Sequence, residues 1–266
     1  MEVGMARLVS VLAFSALAAS LFGAPVPSSP APRKLGRTPE PSPGLQRELA
    51  RFDETYRHGT PEQFAELERL AQAVAGRYPA EGDQARIWGE VAWVAGQSGI
   101  DRHAPLVRKY ARKCLAVSRD PLQRGRMYSL LASAVDVSGY AFPKGRREAA
   151  EILLTGYREM LAQELPETAP ELPVVEKVGD VVGGGGAEEV LVRTRHAAQR
   201  TARAEAEFIR EQIDRRDTLV RQLRDLYKPD VKRHGRTPDG PDELRGLAAT
   251  RLTDQQVRVL IQKVTE

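Results

Sequence analysis

Histidine is the side chain best suited to metal binding and to acid–base chemistry near neutral pH, and this chain has four. They are His58, His103, His196 and His234. None has a second His, Cys or Glu at a ligand spacing such as His-Glu-x-x-His. Asp101 lies two residues before His103, but a carboxylate at a helix start is more simply an N-cap. The histidine pattern therefore predicts no metal site and no catalytic histidine.

The other side chains capable of chemistry also lack a functional pattern. Cys114 is the one cysteine, and it shares an apolar helix face with Tyr110 and Val117, so we predict a buried hydrophobe without a disulfide. The glycines at 183–186 are not followed by the Gly-Lys-Ser/Thr of a phosphate loop, and no serine lies in a nucleophile elbow. We predict no catalytic, cofactor-binding or metal residues and no cofactor. Three glutamates are predicted to form a solvated helix face: Glu62, Glu66 and Glu68.

Charge is nearly balanced along the chain. There are 40 Lys and Arg against 36 Asp and Glu, which gives a net charge of +4. Arginine is concentrated at residues 108–126 and 193–233, but acidic residues are interleaved with it in the second region. A nucleic-acid surface needs a one-sided basic stripe or aromatic platforms. We therefore predict no nucleic-acid partner, and a weakly basic surface suited to an acidic partner or an anionic envelope.

Residues 1–24 have the pattern of a secretory signal peptide. Arg7 precedes an apolar run over residues 8–19, which is shorter than the ~20 residues that a membrane span needs. Small residues follow at Ala18, Ala19 and Ser20. We predict export to the periplasm, cell envelope or exterior, with no membrane span after cleavage; an uncleaved anchor is the alternative. Residues 25–43 are rich in Pro and Ser and are predicted to be a disordered tether.

Residues 44–166 show helical periodicity throughout. Thr60, Pro61 and Gln63 form the sequence signature of a helix start, and Asp120-Pro121 repeats it. Apolar residues at steps of three and four predict six helices, over about residues 44–56, 60–78, 83–97, 104–118, 120–138 and 143–165.

The same segment contains an internal repeat. Pairs of an aliphatic residue and alanine recur about 40 residues apart at Leu49-Ala50, Val91-Ala92 and Leu131-Ala132. A single helical hairpin cannot bury its apolar face alone, so this period predicts stacked antiparallel hairpins. The residues predicted to hold the hairpins together are Trp88, Val91, Tyr110, Leu131 and Leu153.

At these positions the chain resembles the tetratricopeptide repeat family over about residues 44–166. The residues that carry the resemblance are Trp88, Val91 and Ala92 in one helix and Tyr110, Cys114, Val117 and Pro121 in and after its partner. The period is longer than the 34 residues of that family, and it also fits another hairpin array or an ordinary bundle. Tetratricopeptide domains bind peptides or proteins, so the resemblance implies a binding module rather than an enzyme.

The remaining chain is predicted to form a Pro/Gly linker at 167–186, a long charged helix at 187–228 and a small helical hairpin at 229–266. The long helix would span ~60 Å. Glu211 and Arg215 are spaced to pair along it. Its apolar seam is interrupted by Arg216 and is short for a coiled coil, so we predict intramolecular docking and a monomer. The seam residues are Ile209, Ile213, Val220, Leu223 and Tyr227.

The sequence therefore predicts an all-α protein with a stacked-hairpin array, a long helix and a C-terminal hairpin. Its predicted function is to bind a protein or peptide after export. Two alternatives remain open: an enzyme or enzyme accessory with a site assembled from scattered residues, and an envelope protein that self-associates through the long helix. A deep cleft with converging ionisable groups would favour an enzyme, and a shallow groove would favour a binder.

Cleavage of the signal segment is directly testable. We expect the mature chain to begin between residues 20 and 26, because small residues follow the short apolar run there. Mass spectrometry of the natural protein measures this terminus. A cytosolic protein that retains Met1 or Met5 would contradict the prediction.

Overall fold

The computed structural model describes residues 36, 38–56, 60–138, 144–175, 187–227 and 240–266. All regular structure in these ranges is helical, as predicted. The predicted signal segment, residues 25–35 of the predicted tether, and residues 176–186 of the predicted linker lie outside them. The helices are α1 Pro43–Thr55, α2 Pro61–Arg77, α3 Glu81–Gln97, α4 Ile100–Val117, α5 Pro121–Ser138, α6 Lys144–Leu161, α7 Ala187–Tyr227, α8 Gly240–Ala249 and α9 Asp254–Thr265.

Polar residues define several helix starts. Thr60 and Gln63 form the predicted capping box at α2, in which each side chain binds the backbone N–H of the other residue. Thr253 and Gln256 repeat it at α9. The Asp120 carboxylate accepts hydrogen bonds from the N–H groups of two residues in the first turn of α5, at 2.9 and 3.2 Å. These contacts satisfy N–H groups that have no partner inside the helix.

The start of α4 differs from the sequence prediction. That helix begins at Ile100, and Asp101 lies in its first turn rather than capping it. The N-cap is Gly99, whose φ of 124° is a backbone conformation that glycine adopts without strain. Because only two residues separate α3 from α4, the chain reverses direction at this glycine.

The first seven helices pack in an alternating pattern. Each helix contacts the next one along the chain, and the odd-numbered helices also contact one another in the order α1, α3, α5 and α7. The three aliphatic–alanine pairs that reveal the repeat all lie on odd-numbered helices. The alanines of the second and third pairs, Ala92 and Ala132, are buried, whereas Ala50 is exposed. The odd-numbered helices thus form a continuous row.

Two hydrophobic clusters make up most of the core. One is formed by residues of α1 to α5, and the other by residues of α5 to α9. Four of the five predicted core residues are buried: Val91, Tyr110, Leu131 and Leu153. Trp88 is only partly buried: it packs against the first cluster, where its ring stacks on Tyr110 at 5.6 Å and lies beneath the Lys113 ammonium group. It therefore contacts the neighbouring helix from the edge of the core and is not enclosed by it.

The C-terminal half of α7 docks within the chain. Val220, Leu223 and Tyr227 are buried in the second cluster, and α7 contacts α5, α6, α8 and α9. Ile213 is buried outside that cluster, and Ile209 is partly buried. Arg216, which interrupts the apolar seam, is also buried, and its Nε lies 3.2 Å from a carboxylate oxygen of the neighbouring Asp217. The seam is thus covered by other helices of the same chain.

A partly buried arginine joins three helices. Arg124 of α5 makes an ion pair with Glu159 of α6 through Nε and Nη2, at 2.7 and 2.8 Å. Its Nη1 donates to the carbonyl oxygens of Leu115 and Ser118 at the end of α4, at 2.6 and 2.9 Å. The hydroxyl of Tyr128 also donates to Glu159, at 2.8 Å. This network connects the ends of α4, α5 and α6.

We expect Leu223→Ala to lower the free energy of unfolding by about 2–5 kcal/mol, because it removes buried methyl groups from the centre of the second cluster. Urea denaturation measures the loss. Val259→Ala is the matched control, since Val259 is 42 % exposed and its truncation should have little effect.

Light scattering on the same proteins should give a monomeric mass for both. A wild-type dimer that Leu223→Ala converts to a folded monomer would contradict intramolecular docking of the seam.

Candidate functional site

The row of odd-numbered helices forms one side of a cleft of about 650 Å³ that is open to solvent. We call it the inner cleft. Its lining residues are Thr38 and Asp120 from the segments before α1 and α5, Leu49 from α1, Arg86, Gly89 and Glu90 from α3, Leu122, Gln123, Arg126 and Met127 from α5, and Glu211, Asp214, Arg215 and Thr218 from α7. Charged side chains from three helices therefore share a single depression.

Helix α3 supplies two of these charges from an otherwise apolar stretch. Arg86 and Glu90 are four residues apart, so they lie on the same helix face. The residues around them are buried: Ala85, Ile87, Gly89, Val91, Ala92, Val94 and Ala95. Two charged residues within a mostly buried helix indicate a candidate functional site. This pattern is visible in the sequence, but our sequence analysis did not identify it.

Glu90 and Arg126 lie in the cleft with pKa values that burial shifts. Burial raises the pKa of the Glu90 carboxyl, although the positive charge of Arg126 opposes the shift. Burial also lowers the pKa of the Arg126 guanidinium. That guanidinium lies 3.5 Å from the centroid of the Trp93 ring, which holds it by a cation–π contact. Both charged forms are thus less hydrated than on an open surface.

Arg215 reaches the same cleft from α7. Its aliphatic stem packs so closely on Gly125 of α5 that a Cβ at this position would lie 2.4 Å from the Arg215 Cγ. Its Nε is buried and has no hydrogen-bond partner. Burial lowers the pKa of the guanidinium, while the charges of Glu211 and Asp214 oppose the shift. The predicted pair between Glu211 and Arg215 does not form an ion pair in this structure.

The floor of the cleft is held by hydrogen bonds. Gln123 donates from Nε2 to the carbonyl oxygen of Ala85 at 2.8 Å and accepts from the Ser118 hydroxyl at 2.8 Å. A Cβ at Gly89 would lie 2.8 Å from the Gln123 Nε2 and 3.3 Å from the Cys114 sulfur. Cys114 is buried as predicted, and burial raises the pKa of its thiol to about 12. The thiol is therefore protonated and unreactive at neutral pH.

One end of the cleft is occupied by the segment before α1. We call residues 36 and 38–42 the rim segment. The N–H of Gly36 donates to the carbonyl oxygen of Arg119 at 3.0 Å, and the N–H of Thr38 donates to the Asp120 carboxylate at 3.2 Å. Arg86 donates from Nη2 to the carbonyl oxygens of Thr38, at 3.1 Å, and Pro39. This part of the stretch predicted to be a tether is therefore held by hydrogen bonds.

The sequence explains why the rim segment is extended. Prolines alternate with other residues at 39, 41 and 43. Each proline fixes its own φ and disfavours helical geometry in the residue before it, so the stretch is biased toward a polyproline II conformation. Ser42, with φ −57° and ψ 151°, is close to that conformation. The rim segment lies beside the cleft as an extended peptide.

The histidine singled out in the sequence lies elsewhere. The His103 ring packs edge-on against Phe64, with centroids 4.2 Å apart, and near Tyr56 at 5.9 Å. Burial lowers its pKa, and its Nε2 is buried without a hydrogen-bond partner. No group of three His, Cys, Asp or Glu side chains in the described ranges is arranged to hold a metal ion. His58 and His234 lie outside those ranges.

One of the three glutamates predicted to be solvated has a different role. Glu62 and Glu66 are exposed, but Glu68 accepts hydrogen bonds from the Lys109 ammonium at 2.7 Å and the Tyr110 hydroxyl at 2.6 Å. Those two donors lower the pKa of the Glu68 carboxyl. Glu68 thus links α2 to α4, and the prediction for this residue is wrong because spacing alone does not show which groups face it across helices.

The chemistry of the inner cleft is that of charge recognition. Its described lining contains carboxylates, guanidiniums, an amide and two threonines, but no His, Cys, Ser or Lys side chain. It therefore contains no serine or cysteine that a histidine could activate. None of the helices in the described ranges carries an apolar stretch sufficient to span a bilayer.

Comparison with protein-family models, with curated proteins and with solved structures found no match to this chain. The resemblance to tetratricopeptide repeats stays a prediction from the residues quoted for it.

We expect Glu90→Gln to stabilise the protein at pH 7. A raised folded-state pKa means that Glu90 contributes more stability when protonated, and this contribution is lost as pH rises through that pKa. Glutamine is neutral at every pH, so its advantage should vanish as pH falls below the ordinary glutamate value of ~4.3. Urea denaturation across this pH range measures the difference. Glu211→Gln is the control, because Glu211 is exposed in the same cleft. An equal gain at pH 4 and pH 7 would contradict the prediction.

Proposed function

We propose that this protein is an exported, non-catalytic helical protein that binds an extended segment of a partner protein in the inner cleft. The observation that carries the proposal is the rim segment. An extended stretch of polypeptide is held at one end of the cleft, and the hydrogen bonds that hold it are made by its own main-chain N–H and carbonyl groups. A face that holds one extended peptide through its backbone has the groups needed to hold another.

The contacts of Arg86 explain how such binding works without a fixed sequence. Its guanidinium donates to two successive carbonyl oxygens, those of Thr38 and Pro39. Every residue of a peptide presents a carbonyl oxygen, so hydrogen bonds of this kind recognise an extended backbone rather than particular side chains. A proline-containing stretch also loses little conformational entropy when it binds.

The size and lining of the cleft support the same function. A volume of about 650 Å³ falls within the range of ordinary ligand sites. Four helices contribute to its walls, and their polar groups alternate with Leu49, Leu122 and Met127. Apolar contacts of this kind supply affinity, and the charged groups between them supply orientation and specificity.

An enzyme is the second candidate, and Glu90 is the observation that favours it. A carboxyl whose pKa is raised by burial is suited to general acid–base catalysis. Several ionisable groups do converge here, which is the feature expected of an enzyme. The binding function is better supported because the cleft already adjoins an extended segment of the chain that is held by hydrogen bonds.

The test is binding of synthetic peptides to the full chain. An array of ten-residue peptides with acetylated and amidated ends is screened, and each positive peptide is titrated by fluorescence polarisation. Thr218→Trp places a large ring in the cleft and should weaken binding of those peptides by about tenfold or more. The matched control is Thr201→Trp: Thr201 lies on an exposed part of α7 and makes the same hydrogen bond to the carbonyl four residues earlier.

Two outcomes would contradict the proposal. In the first, no peptide binds the full chain. In the second, Thr218→Trp and Thr201→Trp weaken binding equally, which would place the peptide site outside the inner cleft.

A further inference from the structure

We propose that Arg126 and Arg215 together bind the carboxylate of an Asp or Glu side chain in the partner segment. This inference rests on the proposed function and adds that the bound segment carries a negatively charged side chain. It assigns to the inner cleft a specific anion site formed between α5 and α7.

The two partly buried guanidiniums differ from three other buried or partly buried arginines in the described ranges. Arg124 is paired with Glu159, Arg146 with Glu243 at 2.7 Å, and Arg216 with Asp217. Neither Arg126 nor Arg215 has a carboxylate oxygen within 4.0 Å or a hydrogen bond to the described chain. A desolvated guanidinium without an anion is costly, and a bound carboxylate would offset that cost with charge-assisted hydrogen bonds.

Both side chains are held in position before any ligand arrives. The Trp93 ring lies against the Arg126 guanidinium, and the stem of Arg215 is wedged on Gly125. A side chain that is already fixed loses little rotamer entropy on binding. The positive charge of Arg215 also acts on Arg126, where it lowers the pKa of the guanidinium further. One anion between them would relieve this repulsion.

The carboxylates that line the cleft determine which anion fits. Asp120 already accepts hydrogen bonds from three backbone N–H groups. Glu211 and Asp214 are exposed on the same helix as Arg215, and Glu90 makes no ion pair with Arg126. Because these four negative groups surround the site, a multiply charged anion such as phosphate is repelled more strongly than a single carboxylate. A planar carboxylate also matches the fork geometry of a guanidinium.

The open form of the cleft favours a side chain over a chain terminus. The rim segment continues along the molecule into α1 and does not end in the cleft. A partner segment bound in the same manner passes through the cleft and presents an acidic side chain to α5 and α7. We therefore assign the site to an internal Asp or Glu.

The first arm of the test uses a small probe that does not depend on peptide binding. Butyrate, a single carboxylate that resembles the Glu side chain, is titrated into the full chain, in which the arginine Nε–H groups are labelled with ¹⁵N and observed by NMR. The Arg126 and Arg215 signals should shift and saturate. Arg126→Gln and Arg215→Gln should each abolish the shift of the remaining partner signal, whereas Arg203→Gln, on an exposed part of α7 where Arg203 pairs with Glu207, should not. Butyramide, which has no charge, and phosphate are the comparison ligands.

The second arm uses pairs of peptides that differ only by Glu or Gln at one internal position, with acetylated and amidated ends. The Glu peptide should bind about tenfold more tightly than its Gln partner. This preference should disappear in Arg215→Gln and persist in Arg203→Gln.

The two arms separate failure of the carboxylate site from failure of the proposed function. Saturable butyrate shifts without peptide binding would support the carboxylate site and contradict the peptide function. Peptide binding with no preference for Glu, together with unshifted Arg126 and Arg215 signals, would overturn the carboxylate site. Equal shifts with phosphate and butyrate would also overturn it, because they would indicate only general attraction of anions.

Discussion

The packing of α4, α5 and α6 depends on one partly buried guanidinium, that of Arg124. It binds the free carbonyl groups at the end of α4 and the Glu159 carboxylate of α6 while it belongs to α5. Such a pair adds stability only when its remaining donors and acceptors are satisfied, and here Tyr128 and the α4 carbonyls satisfy them. Removal of the guanidinium would leave Glu159 and those carbonyls without their donor. The network therefore fixes the orientation of α5 between its neighbours.

The orientation of α5 in turn positions the cleft. Arg124 and Tyr128 are one helical turn apart and face α4 and α6. Gln123, Arg126 and Met127, which follow the same three- and four-residue spacing, lie on the side of the helix that lines the cleft. A rotation of α5 that broke the Arg124 network would also move Arg126 away from Trp93. Stability and the proposed binding site thus share one helix.

The cleft also lies where the two core clusters meet. Helix α5 contributes to both clusters. The docked half of α7 belongs to the second cluster and supplies one wall of the cleft. Leu219 lies one turn beyond Arg215 on the same face of α7, so burial of Leu219 holds the stem of Arg215 against Gly125. Packing of the apolar core thus positions charged groups in the cleft. Because of this packing, the guanidiniums of Arg126 and Arg215 stay there without an ion-pair partner in the described chain.

Much of the fold was predictable from the sequence alone. Helix periodicity, capping residues such as Thr60 and Thr253, and proline positions are local signals, so they indicated the helices and the docked seam of α7. Only the tertiary structure decided the pairing of charged side chains. Arg124, Arg126 and Arg215 look alike in the sequence, because spacing shows which face of a helix a residue occupies but not which group faces it from another helix. For the same reason, the cleft and the rim segment could be found only once the helices had packed.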